Sequence, residues 1–273
     1  RAQFLVSGNP NITPSTVEIK PVFHFETYTG AEPASVGRGI LFPYKRGSFS
    51  GVREIIRDSE EFIDIDTTAQ IPAYLPGEAV DVRGSSLEDV AAVMMDGDTQ
   101  SIYIYKWYWQ GREKVQSAWH RWTFGDDVVV LDIDFIENTL FLVTQRADGI
   151  FLESVAVSTE IKDTGLDWQI RLDRRATPLS AVYDSASDLT TVTYPYAVDA
   201  GRDPAVVDLA TGIPAVYTGK PSGDTATFEG DLSAMSLVCG QEYEMRYKFS
   251  EIQVKEPGSQ IPNIGRVDRK SVV

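Results

Sequence analysis

A serine nucleophile is the first chemistry the sequence invites, because Gly47 to Gly51 reads GSFSG. In a G-x-S-x-G elbow the middle residue attacks the substrate, and here it is Phe49, so the motif fails. Paired carboxylates come next. Asp64 and Asp66, and again Asp132 and Asp134, stand at i and i+2 in strand-like runs, which puts each pair on one face roughly 7 Å apart. Such a pair could serve glycoside hydrolysis. With 40 acidic residues in the chain, alternating aspartates on a solvated strand face are the plainer reading. Tyr103, Tyr105, Trp107 and Trp109 form an aromatic stripe, joined by Trp119 and Trp122. The stripe offers a stacking platform for sugars or bases, although large aromatics equally fill the core around a buried strand.

The remaining reactive side chains are sparse. His24 and His120 stand apart from any ligand or base partner, and Cys239 is the single cysteine. A disulfide within the chain is excluded, and no His/Cys set of the kind zinc needs is available. No phosphate-binding G-x-x-x-x-G-K-[ST] loop, H-E-x-x-H pair or calcium loop occurs, and the Asn11-Ile12-Thr13 sequon has no secretory segment to support it. No catalytic, cofactor-binding or metal-binding residue is therefore assigned. Forty acidic against 25 basic residues give a net charge of −15, the opposite of the basic footprint of a protein that grips nucleic acid. An acidic wall would still let DNA slide past without sticking, and acidic surface also serves solubility. No apolar run approaches the roughly 18 residues of a membrane-spanning helix.

Strands must carry these residues. In Ser101 to Trp109 the stripe falls on one face, with Ile102, Ile104, Lys106 and Tyr108 on the other, so the strand reads as buried on both sides. Tyr243, Met245, Tyr247 and Phe249 alternate with Glu244, Arg246 and Lys248, and Leu131, Ile133 and Phe135 alternate with Asp132 and Asp134. Both patterns describe half-buried antiparallel strands. One segment competes for helix: Ser86 to Met94, with Ser86 and Asp89 as a capping pair, although Val90 to Met95 also suits a strand.

Three hairpins repeat along the chain. Ile40–Tyr44 turns at Gly47 into Phe49–Ile56, Val90–Met95 turns at Asp96 to Asp98 into Ile102–Trp109, and Leu140–Thr144 turns at Asp148 and Gly149 into Phe151–Val157. The glycines stand 50 and 52 residues apart, close to a β-propeller blade period. An all-β fold is expected, with a partial, propeller-like array of hairpins over residues 1–158. Shorter strands follow at Trp168–Leu172, Leu179–Tyr183, Thr190–Tyr194 and Thr225–Phe228, with turns at Asp199–Pro204, Thr211–Pro214 and Lys220–Gly223. They suggest a small β-sandwich-like domain over 159–256, and 257–273 reads as a linker and the start of a further element. The opening on Arg1 and the abrupt end at Val273 read as a piece of a longer polypeptide, or alternatively as a processed mature chain.

Four blocks carry a family likeness: AQFLVSGNPNITPSTVEI, RGSFSGVREI followed by DIDTTAQIPAYLPGE, and IYIYKWYWQGREKVQSAWHRWTF. The last is the most specific, pairing an aromatic strand and a polar reversal at Gln110 to Lys114 with the Gln116 to Trp122 run. Together they resemble the tail tubular protein B, or nozzle, family of short-tailed bacteriophages, over most of residues 1–158. The resemblance implies a virion tail component with six subunits forming a ring beneath the tail adaptor ring, tail fibres as further partners, and DNA passing through without specific binding. The family's gate residues are not carried over, because no loop here matches sharply enough to assign them. A host-surface glycan-binding or glycan-hydrolysing β-protein is the alternative that the acid pairs and the aromatic stripe keep open.

Overall fold

The structure, a computed structural model, describes residues 3–9, 11–25, 30–58, 61–158, 160–199, 201–246, 253–254 and 263–264. All regular elements among them are β-strands, and every strand pairing is antiparallel. The fold is all-β, as the alternating β-branched and aromatic runs require. The chain divides into two compact units, residues 1–169 and 170–273.

The first unit begins with a hairpin of β1 (Gln3–Gly8) and β2 (Val17–Phe23). The first sheet follows in chain order as β3 (Ala34–Val36), β4 (Gly39–Arg46), β5 (Phe49–Asp58) and β6 (Glu61–Asp66), with β7 (Leu75–Pro76) against the start of β5. The second sheet is β8 (Ala79–Ser85), β9 (Val90–Met95), β10 (Asp98–Gln110) and β11 (Glu113–Thr123), and the third is β12 (Val129–Ile136), β13 (Thr139–Arg146) and β14 (Gly149–Ala156). Apart from β7, each sheet is a meander of consecutive strands. The glycine-marked hairpins are β4–β5, β9–β10 and β13–β14, and in every sheet they supply the second and third strands. Gly47, at φ +63°, makes the first of these turns in a region a side chain resists.

The second sheet has a core on each face. Towards the first sheet, Tyr103, Tyr105 and Trp107 of β10 and Ala91, Val93 and Met95 of β9 join Leu41 and Val52. Towards the third, Ile102, Ile104, Val90, Ala92 and Met94 join Val130, Ile133, Leu140 and Leu142. This two-sided burial is why β9, sequence VAAVMM, is apolar along its whole length and buried at every residue. Each large apolar side chain so buried contributes about 1.5–3 kcal/mol. A charge at Val93 would break the layer, having no partner there.

The second unit contains β15 (Asp173–Ala176), β16 (Ser180–Asp184), β17 (Leu189–Thr193), β18 (Pro204–Asp208), β19 (Tyr217–Ser222), β20 (Thr225–Glu229), β21 (Leu237–Gln241), β22 (Gln253–Val254) and β23 (Asn263–Ile264). One sheet has the order β15-β21-β18 and the other β16-β17-β20-β19. Val206, Val238 and Cys239 of the one, and Val192, Ala226 and Phe228 of the other, are buried. The Tyr194 hydroxyl donates to the Ala205 carbonyl at 3.1 Å and ties the two sheets together. Residues 257–273, read as a linker, lie outside the described residues apart from Asn263 and Ile264, which pair with β22.

Several strand expectations change. Ser86 to Asp89 is a turn with Asp89 at φ +50°, and Val90–Met95 is strand, so no helix forms there. Trp168 to Leu172 has no strand, and the edge strand starts only at Asp173. Tyr243 to Arg246 has none either, since among the described residues no strand pairs with it, and 247–250 lie outside the described residues. Leu131 is exposed although its alternation put it inside. A bulge between Val130 and Asp132 shifts the register by one, so that Val130 points inwards instead, while Ile133 is buried as its alternation requires.

Candidate functional site

The centre of the aromatic stripe lies inside the molecule, and Trp109, Trp119 and Trp122 are partly buried around it. Tyr103, Tyr105 and Trp107 are only 2–3% exposed, and their rings are engaged edge-on or stacked. Tyr105 lies 5.1 Å from Trp107 and 5.0 Å from Trp119, and Tyr103 meets Tyr74 edge-to-face at 5.5 Å. The Trp119 Nε1–H donates to the Thr67 carbonyl at 3.0 Å, while Trp122 packs on the opposite face with Phe124 and Phe135. The Tyr103 hydroxyl donates to Asp98 at 2.8 Å. Its pKa stands well above the usual tyrosine range, first through burial and then through Asp98. Tyr108 is the exception to burial on both faces, at 58% exposed. The ladder to β9 ends at Lys106 opposite Val90, so the last residues of β10 project beyond it. A glycan platform needs exposed rings beside paired acids; Tyr103, Tyr105 and Trp107 are sealed, and Trp109, Trp119 and Trp122 are partly buried against the core, so the structure favours core packing over a glycan-binding surface.

The two acid pairs have different surroundings. Asp66 accepts hydrogen bonds from the Tyr44 hydroxyl (2.6 Å), the Thr68 amide (3.0 Å) and the Thr68 hydroxyl (2.8 Å), and pairs with Arg46 at 2.5 Å. Burial pushes its pKa up, but the hydrogen bonds from Tyr44 and Thr68 and the Arg46 charge outweigh it and hold the carboxyl below the ordinary range. Asp64 pairs with Arg53, whose guanidinium lies over the Phe25 ring at 4.1 Å and the Tyr44 ring at 5.0 Å. Here burial dominates and raises the pKa against the pull of Arg53. One carboxyl oxygen of Asp64 and the Nε of Arg53 are buried with no hydrogen-bond partner among the described residues. Gly51 sits opposite Tyr44 in the ladder, and a Cβ there would stand 2.4 Å from the ring. The glycine is thus required for Tyr44 to cover the strand. Asp132 and Asp134 are exposed, and each accepts from the amide of the next residue.

The other candidates are structural in their surroundings. In GSFSG, the Ser50 hydroxyl donates to the Gly77 carbonyl at 2.8 Å and tethers the β7 turn. The Cys239 thiol is fully buried, donates to the Ala176 carbonyl at 3.3 Å and has its pKa pushed up to about 12 by burial, which leaves almost no thiolate to react. His24 and His120 are exposed, and among the described residues no group of three or more metal-ligating side chains comes together. Sequence reading missed the most buried ion pair of the first unit, Glu54 with Lys114. The signal was present in Arg53-Glu54, two adjacent charges between the apolar Val52 and Ile55 in the middle of β5.

Stacked meander sheets, a sealed aromatic layer and aspartates neutralised in place define a β-structural building block, and comparison with known proteins puts that block in a phage tail. The chain belongs to the bacteriophage nozzle protein family, whose model matches residues 1–270. It is similar to the tail tubular protein gp12 of Escherichia phage T7, at 25% identity over 267 residues, which cover 93% of this chain and 34% of that protein. The chain thus spans about a third of the length of this curated relative, and it is a structural component of the virion tail.

Proposed function

We propose that this section of the polypeptide is a passive wall element of the DNA-ejection conduit. The family match over residues 1–270 carries the reading. In the complete protein six subunits form the nozzle ring, attach to the tail adaptor ring and offer a mount for tail fibres. The three meander sheets are read as blades of a propeller-like scaffold around the axis. At −15 per copy, a ring of six carries −90 from this section alone, so it repels DNA phosphates and guides the genome without holding it. The work is done by shape and charge, with no catalytic centre. Sealed aromatics and arginine-matched aspartates support this, since they leave little chemistry at the surface of the first unit.

Electron microscopy of the full-length polypeptide tests the reading, with rings of six expected. Monomers alone, or particles lacking the protein that still eject DNA at the normal rate, overturn it.

A further inference from the structure

The first and second sheets meet through apolar side chains, and such burial has no direction: a slide of one sheet along the other would bury nearly as much. Three directional contacts tie the β10–β11 hairpin of the second sheet to the first. Arg38, in the β3–β4 turn, donates to the Gly111 carbonyl at 2.6 Å and lies over the Trp109 ring at 5.4 Å. Trp119 donates to the Thr67 carbonyl. Between them, the Lys114 ammonium pairs with Glu54, whose side chain is 1% exposed. It also donates to the Tyr105 hydroxyl at 3.3 Å and stands 5.1–5.6 Å from the ring centroids of Tyr105, Trp107 and Trp109. The lysine is therefore held by a carboxylate and three aromatic rings of its own chain.

Lys114 reaches this place because of a bulge. Tyr108 pairs with Gln116 and Trp109 with Lys114, which leaves Val115 as an extra residue. Counted by strict alternation from Trp119, Lys114 would face away from the first sheet; the extra residue turns it over.

We propose that the Glu54–Lys114 pair is a register lock, which fixes how the first two sheets mate and contributes little net stability. A buried ion pair loses much of its attraction to desolvation, whereas losing one partner strands the other charge. A matched apolar replacement therefore separates the two roles. Lys114→Met alone should lower Tm by roughly 5–10 °C. Glu54→Leu with Lys114→Met should regain most of that loss. In the double variant the amides of β11 should still lose roughly tenfold or more of their hydrogen-exchange protection, and the near-ultraviolet tryptophan signal should weaken. A double variant with the protection and tryptophan signal of the parent chain overturns the lock. So does Lys114→Met with unchanged Tm. If the single variant does not fold, the double variant decides alone; its failure to fold also overturns the proposal, since the pair would then be needed for stability.

Discussion

The tripeptide Asp-Ile-Asp occurs twice, at Asp64–Asp66 in β6 and at Asp132–Asp134 in β12, with opposite outcomes. The first is drawn into a network of two arginines, a tyrosine and a threonine. The second stays in water and bonds its own backbone. The ladder neighbours make the difference. Arg53 pairs directly with Asp66, and Ile55 with Asp64, beside Phe42 and Tyr44 on the same sheet. Opposite Asp132 and Asp134 stand Val143 and Phe141, which offer no donor. Identical carboxylates at identical spacing thus differ because the cross-strand partner, which lies elsewhere in the sequence, sets the role.

Substitution should separate the two regions in a graded way. The largest effect is expected from Arg53→Met, which leaves Asp64 without its counter-charge. Urea unfolding should show a loss of about 2–3 kcal/mol, discounted from the cost of a fully buried pair because both side chains keep some solvent contact. Equal stability would show the β6 pair to be as free as the β12 pair. Asp66→Asn should cost about 1–2 kcal/mol, through its charge-assisted hydrogen bonds to Tyr44 and Arg46.

Acid titration should sharpen the contrast within β6. Asp66, held low, contributes stability that is complete above the unfolded pKa near ~3.9 and is lost as the pH falls through the lower folded value. Asp64, raised, works the other way: its contribution is complete below ~3.9 and lost as the pH rises through the folded value. Carboxyl carbon chemical shifts followed by NMR should therefore show Asp64 titrating above Asp66; coincident midpoints would contradict the network. The smallest effects belong to β12. Asp132→Ala and Asp134→Ala should each stay within about 0.5 kcal/mol of the parent in the same urea assay, and a larger loss would mean that the exposed pair has a partner of its own.

Much of the first unit was legible because its signals are local. The turn glycines marked all three repeated hairpins, and two-sided apolar character marked the β9–β10 layer. One error falls where a single residue changes register: the bulge at Val130 turns Leu131 out. Val115 acts in the same way on Lys114, turning it towards the aromatics. Neither insertion has a composition signal, so alternation counted through it fails. In the second unit β18 (PAVVD) and β21 (LVCGQ) escaped notice, being short apolar runs without alternation, while Trp168–Leu172 had alternation but is not strand in the structure. The Asp64–Asp66 site was visible as carboxylates but not as a network, because Arg46, Arg53 and Tyr44 reach it through the ladder.

The order of strands within the sheets also has a consequence for synthesis. Apart from the short β7 against β5, every sheet of the first unit joins consecutive strands, so each can close soon after its last strand leaves the ribosome, with short loops and little entropy to overcome. The β15-β21-β18 sheet cannot do this. Its central strand is the last to be made, and Asp173 must wait for Gln241. Until then the apolar strand β18 has only the short 213–215 segment beside it, through the Val207–Pro214 bridge. The interval between translating residue 173 and residue 241 is therefore the period in which the nascent second unit is most open to mispairing with another chain.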